Sequence, residues 1–129
     1  MTPTKALNAQ EWESHLGYFY GSENSYYRRT PLGRIDYTDG IRFLEQHGCY
    51  WLIDAIASYQ NTEFKAQDDR QFWKLTVDLQ TQQAQLICDD GNGNIRVNKE
   101  INYTDFPLPE LKIYVEIGDR VFLCLMSEY

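Results

Sequence analysis

From residue 71 onward, apolar and polar side chains alternate along the chain. Trp73, Leu75, Val77 and Leu79 fall on one parity and Lys74, Thr76 and Asp78 on the other, which predicts a half-buried antiparallel strand. A polar turn at Gln80–Gln83 leads to a second strand with Leu86 and Cys88 inward. "DDGNGN" is a hairpin signal, and Ile95, Val97, Ile101 and Tyr103 alternate after it. "DFPLPE" interrupts the pattern, because neither proline can donate a ladder hydrogen bond. Leu111, Ile113, Val115 and Ile117 then alternate again, and Gly118-Asp119 reads as a two-residue hairpin turn. The closing "VFLCLM" is apolar on both parities, which predicts a strand inside the sheet, covered on both faces.

Before residue 60 the period is helical. "NAQEWESHL" predicts a short helix capped by Asn8, with Trp12 and Leu16 one turn apart. Thr38 or Asp39 can cap a longer helix that continues through Ile41, Leu44 and Glu45. Gly48 is suited to end it in a left-handed conformation, with the helix resuming or restarting at Cys49 and running to about Gln60. Trp51, Ala55 and Tyr59 form one apolar stripe there, with Leu52 and Ile56 beside it. "GYFYGSENSYYRRTPLGR" reads as irregular or strand-like chain, and residues 1–7 as a loose tail. Helices first and strands last give an α+β fold, with an antiparallel sheet of about five strands packed against the 39–60 helical segment. At 129 residues the chain fits one domain.

Composition narrows the function classes. The formal charge is −7, which disfavours wholesale binding to phosphate backbones while leaving room for a local basic patch. Three cysteines, Cys49, Cys88 and Cys124, lack close spacing and sit among apolar residues. They predict reduced, buried thiols in a cytoplasmic protein. The first residues lack an apolar signal-peptide core, and no apolar run approaches the ~20 residues that span a bilayer.

"YTDGIRFLEQHGCYWLIDAIASYQ", followed by "FWKLTVDL", "DDGNGN" and "YTDFPL", resembles a family of small uncharacterised proteins of bacterial, plasmid and phage genomes, known as a domain of unknown function. The resemblance runs from about Phe19 to Tyr129. It implies a stand-alone cytosolic domain, an accessory protein of a mobile element among the options, and brings no activity, cofactor or catalytic residue.

The residues themselves offer few sites. His47, Cys49 and Asp54 invite a thiol nucleophile with a base and an orienter, but residues two apart on one helix point in opposed directions. "DDGNGN" places Asp90, Asn92 and Asn94 at calcium-loop positions, yet Ile95 and Ile101 stand where such a loop needs Gly and Glu. Two distant histidines without paired spacing give no metal signature, and no phosphate-binding glycine loop is present. No cofactor is expected.

The most suggestive stretch is "YYRRTPLGR". Tyr26 and Tyr27 could stack on bases while Arg28, Arg29 and Arg34 contact phosphates. Alternatively, the tyrosines pack under the helix and the arginines pair with carboxylates. Given the charge, an acidic protein surface is favoured over nucleic acid as the ligand. Asp54, set between apolar neighbours, is expected at the edge of the buried helix face, accepting from hydroxyls or from an arginine in 28–42, or else lining a ligand cleft. The sequence therefore points to a non-enzymatic binding or regulatory protein, acting through a protein partner or a second copy of itself. A nucleic-acid accessory role through 26–34, or an enzyme whose site is dispersed in sequence, remain the alternatives.

Overall fold

The structure is a computed structural model, and it describes residues 7–19 and 24–128. Helix α1 (Ala9–Leu16) opens with a reciprocal cap: Asn8 accepts from the Glu11 backbone and Glu11 accepts from the Asn8 backbone. Trp12 carries this helix into the core, edge-on to Phe43 at 5.4 Å and to Phe106 at 5.1 Å. The expected tail lies outside the described residues except for Leu7, which packs partly buried against the core.

Two strands, β1 (Ser25–Thr30) and β2 (Gly33–Thr38), then form a hairpin, so the helices do not all come first. "SYYRRT" hides this strand because tyrosine and arginine each occupy both parities. Helix α2 (Asp39–Leu44) follows with Thr38 as its cap. It breaks across Glu45–Cys49, where His47 leaves helical geometry and Gly48 adopts φ +93°, and restarts as α3 (Tyr50–Ser58). Glycine meets that left-handed angle without the clash a side chain would bring. On α3 the buried residues are Leu52, Ile53, Ile56 and Ala57, while Trp51, Ala55 and Tyr59 are half-buried. A helix this apolar all round gives no decisive stripe, and packing against the sheet chooses the face.

After a short helix α4 (Thr62–Lys65) come β3 (Arg70–Asp78), β4 (Gln83–Asp89), β5 (Ile95–Ile101), β6 (Glu110–Ile117) and β7 (Val121–Leu125). The sheet has seven strands rather than about five, in the order β1-β2-β7-β6-β3-β4-β5. It is mixed rather than antiparallel, because β2 runs parallel to β7, pairing Ile35 with Val121 and Tyr37 with Leu123. A pairing across more than eighty residues leaves no local trace in a sequence. β7 is internal, as its double apolar parity predicts. Ile117 pairs with Val121, so the turn holds three residues, 118–120, rather than two.

Trp73, Leu75, Val77, Val97, Ile113 and Val115 are all buried against the helices. Ile95, Tyr103 and Leu79 are exposed, against expectation. The first two belong to or follow the edge strand β5, and Leu79 lies past the end of β3. The three cysteines are free and buried, and burial pushes each thiol up to about 12. Iodoacetamide at pH 8 should therefore leave the native protein unmodified and label all three in urea, as read by mass. Rapid labelling without denaturant would contradict this burial.

Candidate functional site

Strand β1 sits at one edge of the sheet, and its pleat divides the suggestive residues between two sides. Tyr26 and Arg28, opposite Tyr37 and Ile35, face the helices. Tyr27 and Arg29, opposite Asp36 and Arg34, face away from them. The run Tyr26-Tyr27-Arg28-Arg29 is thus two clusters rather than one.

The helix-side cluster is paired within itself, with the buried Arg28 Nε left without a hydrogen bond among the described residues. Arg28 donates to Asp54 at 2.5 Å and pairs with Glu45 at 3.1 Å. Asp54 stands outward on α3, with 61% of its side chain exposed. Tyr37 is buried beside Glu45; burial, then its hydrogen bond to that carboxylate, push the phenol up to about 12. The Tyr26 hydroxyl donates to Asp39 at 2.8 Å, and Arg42 lies over the Tyr26 ring at 4.3 Å. Every carboxylate here holds an arginine or a hydroxyl, so the cluster ties the hairpin to α2 and α3.

The outward cluster is built differently. Arg34 donates its Nε to Asp36 at 2.8 Å, and its guanidinium carbon lies over the Tyr27 ring, 3.9 Å from the centroid. Arg120, from the β6–β7 turn, donates to the other Asp36 oxygen at 3.1 Å. Burial pushes the Asp36 carboxyl up, but the hydrogen bonds from Arg34 and Arg120 outweigh it and hold it below the ordinary range. Arg29 is exposed, directly opposite Arg34, and makes no ion pair among the described residues. Beside this cluster a pocket of about 330 Å³ opens between the hairpin, α4 and the β6–β7 turn, lined by Arg34, Lys65 and Arg120 among others. Lys65 and Arg120 escape a sequence reading, since only the parallel β2–β7 pairing brings residue 120 beside residue 36.

His47 and Cys49 line a pocket of about 340 Å³ at the helix break, and Asp54 is not among its walls. The Cys49 thiol is held protonated by burial, and Asp54 is bound to Arg28, so the three do not form a nucleophile with its base and orienter. The His47 Nδ1 is buried without a partner among the described residues, and burial, then the charge of His15, lower its pKa. In "DDGNGN", Asp90 accepts from the backbone of Asn92 and Asn94 and from the Asn94 side chain, which closes the loop. Among the described residues no group of three His, Cys, Asp or Glu side chains is placed to hold a metal ion, and no helix is long and apolar enough to cross a membrane.

Neither the curated proteins nor the solved structures contain a match to this chain. Residues 10–129 match the model of a family of unknown function, DUF6876, and the chain belongs to that family.

Proposed function

We propose that this chain is a non-enzymatic binding protein that receives an acidic segment of a partner protein on the outward face of its first hairpin. The observation that carries this reading is Arg29. Like charges directly opposite on a sheet face are unfavourable, and Arg29 faces Arg34 with no carboxylate of its own among the described residues. Arg34 and Arg120 already share the carboxylate of Asp36, and Arg29 adds a third arginine to that face in a chain whose formal charge is −7. An acidic ligand completes that arrangement. Tyr27 adds an exposed aromatic surface of the kind favoured at interfaces. The reading places the protein in a bacterial cytoplasm, in keeping with its unpaired cysteines and the family resemblance.

Nucleic acid is the second ligand to test. It is disfavoured because Tyr26 points to the helices, which leaves Tyr27 alone of the two to stack on a base. Binding of a labelled Glu-rich peptide, of single-stranded DNA and of duplex DNA, followed by anisotropy from about 50 to about 200 mM salt, separates the ligands. The peptide should bind, and Arg29→Glu should weaken it at least about tenfold. The same substitution should leave the melting temperature equal or higher, because it turns a like-charged pair into an opposite one worth about 0.2–1 kcal/mol. Peptide binding unaffected by Arg29→Glu, or DNA binding with a steep salt slope, would overturn the reading.

A further inference from the structure

We propose that the pocket beside this hairpin receives a phosphate monoester carried on the acidic segment, a proposal that rests on the partner reading above and names its ligand chemistry. Three cations line the pocket: Arg34 from β2, Lys65 from the end of α4 and Arg120 from the β6–β7 turn. They come from three separate elements and converge only in the folded chain.

The two guanidiniums are held in place with donors to spare. Arg34 gives only its Nε to Asp36, and Arg120 gives only one Nη, among the contacts of the described residues. Each guanidinium carries five N–H donors, so both keep N–H groups for a second acceptor. Asp36, with 9% of its side chain exposed, holds both, and the Tyr27 ring packs against the Arg34 guanidinium. A planar fork held in this way suits the paired oxygens of a phosphate.

Lys65 supplies the third charge. It is half-buried and makes no ion pair among the described residues. The carboxylates at hand are Asp119 in the lining and Asp36, which is paired to both arginines. One positive charge is left over in the pocket, and Arg29, on the neighbouring strand outside its lining, adds a second. A phosphate monoester carries nearly two negative charges at pH 7, against one for a carboxylate. At about 330 Å³ the pocket holds the phosphoryl group together with part of its carrier. At the turn, a side chain added to Gly33 would meet nothing within 4 Å, so the approach is open.

The test uses the full chain and two Glu-rich peptides of one sequence, with phosphoserine or glutamate at the centre. Anisotropy should show the phosphoserine peptide binding at least about tenfold tighter at pH 7.5. The advantage should shrink below about pH 6, where the phosphate takes up a proton. Phenyl phosphate should compete, and benzoate should not. Lys65→Gln should bring the phosphoserine peptide to the level of the glutamate peptide and leave the latter within about twofold. Equal affinity for the two peptides overturns the phosphate pocket and leaves the partner reading standing. Binding of phenyl phosphate with neither peptide bound overturns the partner reading and keeps the pocket as a site for small phosphates. Binding of none of these probes overturns both.

Discussion

Gln71→Leu is expected to destabilise the fold by about 3 kcal/mol, although it places an apolar residue at an inward position of a core strand. Gln71 is 1% exposed and shares the parity of Trp73, Leu75 and Val77 on β3. Its Oε1 accepts from the Trp73 indole at 2.9 Å and from Gln60 Nε2 at 2.7 Å. Its Nε2 donates to Gln60 Oε1 at 2.9 Å, and Gln60 Nε2 also donates to the Ile56 carbonyl at 3.2 Å. The two amides thus dock the C-terminal end of α3 onto the sheet. Leucine would leave the indole N–H and the Gln60 carbonyl buried without partners, at about 1–3 kcal/mol each. Its extra apolar burial returns only about 1–2 kcal/mol. Replacing Gln60 with Leu as well removes one stranded group, so the double variant should lose less than the sum of the single ones. Urea unfolding of the four proteins gives the cycle. A Gln71→Leu protein as stable as the parent would show that these amides add nothing.

Gln71 also marks where the sequence is legible and where it is not. Alternation from residue 71 onward identifies the inward face, because one slip would turn every apolar side chain to solvent. It does not say that a glutamine on that face has a partner eleven residues earlier. The left-handed Gly48 and the Thr38 cap were legible because both are local backbone chemistry. The first hairpin was not, because an edge strand with Tyr26 and Arg28 on one side and Tyr27 and Arg29 on the other has no apolar parity to detect. The outward site was half legible: the arginines of 28–34 stand out in an acidic chain, while Lys65 and Arg120 join Arg34 through tertiary structure alone. Nor could letters alone divide Arg28 from Arg29, since the division follows from which residue of β1 pairs with Ile35.

That division gives Arg28 and Asp54 unequal expected effects, although they touch each other. Arg28→Met should cost about 2–3 kcal/mol, and Asp54→Ala about 0–1 kcal/mol. The difference lies in what each substitution leaves behind. Without Arg28, the Glu45 carboxylate, with 16% of its side chain exposed, keeps only the Tyr37 hydroxyl among the described residues. Breaking a fully buried pair costs about 3–5 kcal/mol, and the 28% exposure of Arg28 brings the figure below that range. Without Asp54, Arg28 still holds Glu45, and the lost carboxylate was 61% exposed, where water screens the pair. A charge between apolar helix neighbours is thus placed on the outward side of α3, within reach of the edge strand. Glu45→Gln on the Arg28→Met background should recover stability by removing the stranded charge, which a loss of packing around Arg28 would not allow. Urea unfolding of the four proteins reads all of these values. A cost for Asp54→Ala equal to that of Arg28→Met would mean that Asp54, rather than Glu45, is the carboxylate that anchors the hairpin to the helices.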